Sequence, residues 1–288
     1  RHTRSCLKSR GLGDVYKRQI GGDALELVYS VNDLLDYDDF RIAVDKNEVK
    51  KICIIGGGLI GCELSNDLLN GGFEVEVVDP LGYCLPALLP EAAGKAVQAA
   101  LEARGAKFHF GPLVKAVNRA GRGVAVTLDN GETIAADLVV SAVGVRPRTA
   151  LAAASGIETR RGIVANALLE TSAPNVYAMG DCAEVNGHVL VYVAPLMAAA
   201  RALGQTLAGT PTTVSYPAMP VTIKTPACPV VVAPPAPGAV GEWSIRAQGN
   251  DVQAEFRDGQ GRLLGFALTG DATREKITLQ KELPPIMA

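Results

Sequence analysis

Three glycines, Gly56, Gly58 and Gly61, stand in the spacing G-x-G-x-x-G between a predicted strand, Lys51 to Ile55, and an apolar helical stretch that closes at Asn70-Gly71-Gly72. Few architectures accept that arrangement. The first glycine permits a tight turn, the second lets a diphosphate approach the backbone, and the third lets helix and strand pack closely. The N–H groups that open the helix, those of Leu59 and Ile60 among them, have no intrahelical acceptor and suit an anion. Asp79 follows Gly56 by 23 residues, at the end of a second predicted strand, Phe73 to Val78. A carboxylate there can accept from the 2'-hydroxyl of an adenosine ribose. It would also repel the extra phosphate of NADP, and no Lys or Arg follows before Lys95, so NAD is expected over NADP. Glu63 lies in the first turns of the same helix. One reading is compensation of the helix dipole. The other is that a diphosphate nearby disfavours a second unpaired negative charge, so the carboxylate points to a donor such as the nicotinamide amide or a lysine.

The pattern around this turn is that of an α/β fold. A crossover helix makes the second strand parallel to the first. Pro90 sits where a first helical position belongs, and Glu91 to Arg104 is predicted as a helix stopped by Gly105. Ala106 to Phe110 is the third strand. Leu113 to Asn118, Val124 to Asp129 and Glu132 to Ala135 form a predicted antiparallel meander, with Asn130-Gly131 supplying two positive-φ positions for a tight hairpin. Leu138 to Val143 returns to the parallel sheet. Beyond Gly144 the spacing predicts a short strand, Asn175 to Met179, and an alanine-rich helix, Val193 to Leu207. The chain is proline- and strand-rich from Pro211, with strands expected near 221–225, 230–233, 243–247, 252–257 and 262–268 and a final helix over 272–283. Val28 to Phe40 reads only as an acidic lead-in.

Six of the 28 basic residues fall in the first 18 positions, against the single acid Asp14, and the body of the chain is acidic. This argues against nucleic acid or an anionic membrane surface as partner. The apolar stretches fall short of the roughly 20 residues that span a bilayer, so a soluble protein is expected. Cys6, Cys53, Cys62, Cys84, Cys182 and Cys228 show no C-x-x-C pair or ligand cluster, so no metal site is expected, and buried thiols in a reducing cytoplasm fit best. Residues 1–19 carry no periodicity and are excluded from the fold as a non-native leader.

GGGLIGCELSNDL, DLVVSAVGVRPRT, NVYAMGDCAEV and VTIKTPACPVVV together resemble the FAD-dependent pyridine nucleotide-disulfide oxidoreductases, most of all those that reduce rubredoxin. The resemblance covers about Val28 to Ala288. It implies a Rossmann-type NAD-binding domain at 50–145 inserted in an incomplete FAD-binding domain, whose first half ends within 20–49 and whose second half is 146–210. A small α+β domain, 211–288, packs beside the flavin in that family. The resemblance further places Val143 and Gly144 at the dinucleotide, Gly180 and Asp181 at the flavin ribityl chain, Ala194 at a helix start facing the flavin pyrimidine edge, and Lys224 near the isoalloxazine or, as a solvated strand lysine, away from it. The family's first G-x-G-x-x-G, which holds the FAD diphosphate, is absent.

The implied activity passes electrons from NADH through FAD to rubredoxin or a similar small iron protein. With no redox-active cysteine pair in view, a flavin-only relay is favoured over a disulfide reductase, and no general acid or base is assigned. A ferredoxin- or nitrite-type reductase of the same architecture is the second reading. A non-catalytic NAD-binding module is the third.

Overall fold

The computed structural model describes residues 10–11, 20–46 and 48–288. All but two residues of the expected leader, Cys6 included, lie outside that set. The chain divides into two compact units. Of the described residues, one unit contains 20–144 and 220–284, and the other contains 145–219 and 285–288.

The larger unit opens on strand β1 (Val28–Ser30) and helix α1 (Leu34–Lys46), where the sequence showed only a lead-in. Asp33 Oδ1 caps the helix by accepting the N–H groups of Leu35 and Asp36 at 3.0 and 3.1 Å. Phe40, Ala43 and Val44 form its buried face. Then come β2 (Lys51–Ile55), α2 (Leu59–Asn70), β3 (Glu74–Asp79), α3 (Glu91–Glu102), β4 (Lys107–Phe110), the meander β5 (Val114–Ala120), β6 (Gly123–Leu128) and β7 (Thr133–Ala136), and β8 (Leu138–Ser141). Five strands make one parallel sheet in the order β1-β8-β2-β3-β4.

Parallel strands covered on both faces are apolar along their whole length, and the alternation of their side chains separates two cores. Ile52, Ile54, Val75, Val77, Leu138 and Val140 pack with Phe40 and Val44 on one face. Cys53, Ile55, Val78 and Val139 pack with Val117, Val126, Leu128 and Ile134 of the meander on the other. Burial of each such branched aliphatic contributes about 1.5–3 kcal/mol. The hairpin between β6 and β7 departs from expectation. Gly131 alone has positive φ, +91°, and Asn130 does not. The connection is a longer loop closed by Leu128 N–H donating to Glu132 O at 2.9 Å, because Asn130 is used instead to accept the Glu132 N–H through Oδ1 at 3.0 Å.

A carboxylate besides the strand-end Asp79 is buried within the apolar sheet. Glu76 is 7% exposed. Lys51 Nζ stands 2.6 Å from Oε1, and His109 Nε2 donates to Oε2 at 2.8 Å. Burial works to raise its pKa, but the hydrogen bonds and charges of Lys51 and His109 outweigh it and hold the carboxyl below its ordinary value. A depressed folded pKa gives stability that is complete above the unfolded value of about 4.3 and is lost as pH falls through the folded one. Glu76→Gln should therefore cost about 1–2 kcal/mol at pH 7 and flatten the acid limb of a urea-denaturation series. A variant with an unchanged acid limb would show that Glu76 is not responsible.

The smaller unit holds a short helix α4 (Ala150–Ala154), a parallel pair β9 (Ile163–Ala165) and β10 (Ala183–Val185), and helix α5 (Val193–Leu207). The strand expected at Asn175–Met179 is not formed. Asn175 adopts φ 62°, Thr171 bonds back to Val176 O, and only Tyr177 makes an isolated bridge, to Glu170. Ala165, Leu169, Ala178, Cys182, Ala199, Ala202 and Tyr216 form its core.

The chain then re-enters the larger unit as an antiparallel sheet of β11 (Val221–Ile223), β12 (Val230–Ala233), β13 (Glu242–Gln248), β14 (Asp251–Arg257) and β15 (Leu263–Thr269), ordered β11-β12-β15-β14-β13. Ile223, Val230, Val232, Val252, Ala254 and Ala267 share a core with Ala93, Ala96, Val97 and Ala100 of α3. The expected last helix is split. Gly270–Glu275 is a 3-10 turn, because the Thr273 hydroxyl donates to Gly270 O at 2.7 Å, and α6 (Lys276–Glu282) follows.

Candidate functional site

The glycine turn joins β2 to α2 at the point where the sheet order reverses, with β3 on one side of β2 and β8 on the other. A crevice at the carboxyl ends of the strands belongs at that reversal. Gly56 has φ +109°, and a Cβ on it would stand 2.6 Å from Ala142 O, so the turn lies directly against the end of β8 and the start of the Val143-Gly144 segment. Gly61 presses on the turn from above. A Cβ there would overlap Gly56 O. Gly58 differs from both, because nothing lies within 4 Å of where its Cβ would be. It is the N-cap of α2, with extended backbone and no side-chain cap. Ile60, in the first turn that follows, is 40% exposed. Gly144 has φ +100° and is exposed.

Asp79 closes the turn from β3. It is 8% exposed, and its two oxygens accept from different amides, Gly57 N–H at 2.6 Å and Leu81 N–H at 2.8 Å. A carboxylate offers about four acceptor positions, so two remain for hydroxyl donors. The ring of Phe110 lies beside Gly57 and stacks on Phe108 at 5.2 Å. Leu85 locks the far side. Its N–H donates to Gly57 O at 2.8 Å from a left-handed backbone, φ 60°. Gly94, in the middle of α3, is where the helix touches this loop, since a Cβ there would collide with Tyr83 and with Cys84 O. A glycine inside an otherwise regular helix was the signal for that approach.

Cys62 and Cys84 stand together beneath the turn. Cys62 Sγ donates to Gly57 O at 3.3 Å. Its hydrogen bond to Cys84, together with burial, pushes the Cys84 thiol above its ordinary pKa. Burial likewise pushes Cys53 up to about 12. Thiols held protonated are poor nucleophiles, and Cys53, Cys62, Cys84, Cys182 and Cys228 are all buried and outside any disulfide.

Glu63 meets a donor other than those expected. Its Oε1 accepts the main-chain N–H of Lys224 at 2.7 Å. One turn on, Asn66 Oδ1 accepts from Ala227 at 3.0 Å. The lysine was anticipated as a strand residue, but β11 ends at Ile223 and Lys224 lies just beyond it, exposed. Asn66, Thr225 and Ala227 were not singled out by sequence reasoning, because contacts across 161 residues leave no local signal.

In the smaller unit, Gly180–Cys182 is a 3-10 turn, and Gly180, φ +82°, lies beside Leu196 in the first turn of α5. Asp181 is half-buried, and burial raises its carboxyl pKa. Among the described residues no donor reaches its side chain. Helix α5 starts after Tyr192 without a side-chain cap, Val193 is 73% exposed, Ala194 is also exposed, and Pro195 contributes no N–H. His188 and Tyr216 join Gly180, Pro195 and Leu196 around a small cleft. Asp181 thus offers an acceptor for hydroxyls, and the start of α5 offers a positive helix end for negative charge.

Among the described residues no helix is long and apolar enough to cross a membrane, and no group of His, Cys, Asp and Glu is arranged to hold a metal ion. The profile of the pyridine nucleotide-disulphide oxidoreductase family matches residues 14–205, and that of the rubredoxin binding C-terminal domain matches 213–283. The chain is 57% identical over 275 residues to a rubredoxin-NAD(+) reductase of Alcanivorax borkumensis, covering 95% of this chain and 72% of that relative. It is 43% identical over 275 residues to one of Acinetobacter baylyi, covering 93% and 69%. A crystal structure of NADH:rubredoxin oxidoreductase from Clostridium acetobutylicum superimposes with a TM-score of 0.74 at 21% identity, covering 89% of this chain and 64% of that one.

Proposed function

This chain belongs to the pyridine nucleotide-disulphide oxidoreductase family, and from that premise we propose that it is the NADH- and acceptor-binding part of an FAD-dependent reductase of rubredoxin. The observation that carries the reading is the glycine turn with open space above Gly58, closed by Asp79, in a chain whose C-terminal residues match a rubredoxin-binding domain. In this reading 50–145 is the NAD-binding domain, whose sheet and core also take in β1 and α1 from the 20–49 segment, 146–210 is the second half of the FAD-binding domain following a first half that ends within 20–49, and 211–288 is the acceptor domain. The break between compact units at residue 144 supports the first of these boundaries.

The amides of Gly58, Leu59 and Ile60 hold the diphosphate of NADH, and the remaining lone pairs of Asp79 take the adenosine ribose hydroxyls. Two negative oxygens already committed to Gly57 and Leu81 cannot rotate away, so a 2'-phosphate meets fixed repulsion. Asp181 accepts from the ribityl hydroxyls of FAD, a role supported by its half-buried, unpartnered carboxylate. The start of α5, with Val193 and Ala194 exposed, supplies a positive helix end to the pyrimidine edge. When bound, FAD supplies the conversion between a two-electron donor and a one-electron acceptor, which no side chain can perform. The described cysteines are all buried. Burial raises the thiol pKa of Cys53 and Cys228, and the Cys62 hydrogen bond together with burial raises that of Cys84, which supports a relay that does not use them. Five described cysteines outside any disulfide also support a reducing cytoplasm as the site of action.

The test is reduction of rubredoxin by NADH in the presence of FAD, followed by bleaching of the iron protein's visible absorbance. NADPH should support a rate at least about tenfold lower, and Asp79→Asn should narrow that ratio by about tenfold, in keeping with loss of one charge-assisted bond of 1.5–3 kcal/mol. Reduction of a ferredoxin but not of rubredoxin would shift the reading to the ferredoxin-type reductases. Equal use of both nucleotides by the unaltered chain would remove the role of Asp79.

A further inference from the structure

Two side chains of α2, one turn apart, reach the same short segment of the C-terminal sheet. Glu63 accepts the Lys224 N–H, and Asn66 accepts the Ala227 N–H. Between these points the segment braces itself. Cys228 N–H donates to Thr225 O at 2.9 Å, and the Thr225 hydroxyl donates to Cys228 O at 2.7 Å. Thr225 and Cys228 are each 1% exposed. The turn is therefore a stiff body fastened to α2 at two places, and it links β11 to β12 of the domain that matches the rubredoxin-binding profile.

Asn66 shows what the fastening requires. It is fully buried, and among the described residues its Nδ2 has no partner. A buried amide donor left unpaired is unfavourable, and leucine in its place would avoid that penalty. What asparagine supplies and leucine cannot is the acceptor for Ala227.

We propose that Glu63 and Asn66 are positioning residues through which occupancy of the dinucleotide turn is coupled to the conformation of the 224–228 segment. The inference rests on the dinucleotide reading above. The amides that grip a diphosphate open the same helix that carries Glu63 on its second turn. A ligand that fixes the start of α2 fixes both acceptors, and by linkage a partner that orders the 224–228 segment tightens the dinucleotide in return. The acceptor domain thereby registers whether the electron donor is loaded.

Amide hydrogen exchange of the full chain, read in peptides spanning 221–228 with and without NADH, tests the coupling, with NADH binding followed by calorimetry on the same samples. Exchange at Lys224 and Ala227 should slow at least about fivefold on NADH addition. Glu63→Ala, compared at equal NADH occupancy, should lose the slowing at Lys224. Glu63→Gln, whose Oε1 still accepts, should keep it. Heat of NADH binding with unchanged exchange at both amides would overturn the coupling while leaving the dinucleotide site in place, as would full slowing in Glu63→Ala. Absence of binding heat in the unaltered chain would overturn the dinucleotide reading and the coupling with it.

Discussion

A Gly58→Asp variant should fold as well as the unaltered chain and yet bind NADH at least about a hundredfold more weakly. Gly58 is the N-cap of α2 in an extended conformation open to any residue, and a Cβ there meets no atom within 4 Å. Aspartate is among the preferred N-cap residues, and its charge suits a helix start, so helix stability should change by only a few tenths of a kcal/mol, in the favourable direction. The same carboxylate would occupy the space that the proposed reading assigns to a diphosphate. Like charges about 5 Å apart at an effective dielectric constant near 20 repel by about 3 kcal/mol, more than a hundredfold in affinity. Thermal unfolding and NADH calorimetry on one sample separate the two effects. Unchanged affinity would place the diphosphate elsewhere, and a large loss of melting temperature would mean that the space above Gly58 belongs to the fold.

Gly61→Val should do the opposite, destabilising the larger unit by about 3 kcal/mol or more. Gly61 faces the backbone of the turn, and its first added carbon would overlap Gly56 O. The obstructing atom cannot step aside. Gly56 N–H donates to Val78 O at 2.8 Å, and Gly56 itself lies against Ala142 O. The helix must lift, and with it Cys62, Ser65 and Leu68, all buried. Overpacking of this kind costs 1–3 kcal/mol when side chains can adjust and more when only backbone is available to move. For a unit of this size the melting temperature should drop by roughly 10 °C. A urea midpoint unchanged from the unaltered chain would mean that α2 can shift without loss, and the close approach inferred at Gly61 would be wrong. Gly58 and Gly61 are three residues apart, and only geometry tells which one faces open space and which one faces packed backbone.

The turn was legible because its demands are local. Strand, glycine spacing and helix succeed one another without interruption, and Asp79 lies at a fixed distance set by one helix and one strand. Helix α1 was missed because Leu34 and Leu35, its first apolar residues, face solvent at 80% and 66% exposure, which hides the spacing of Phe40, Ala43 and Val44. Asp33 was the available clue, as a capping residue ahead of the run. The strand expected at Asn175–Met179 failed for a different reason: apolar alternation predicts a face but not a neighbour, and only Tyr177 finds a partner. The partner of Glu63 depended on tertiary structure alone. A carboxylate's need for a donor can be argued from charge, but the donor's identity was set by how a distant sheet docks on α2 and α3.

That docking also orders events in time. Ala93, Ala96, Val97 and Ala100 on α3 are covered by strands that end at Thr269, well over a hundred residues later in the chain. At a synthesis rate of 5–20 residues per second, the nascent protein carries an oily, unsheltered helix for on the order of ten seconds or more. The parallel sheet is similarly delayed, since β1 must wait for β8 before it has any neighbour. Such long-range closure slows folding, and it leaves apolar surface uncovered on the newborn chain until its last strands leave the ribosome.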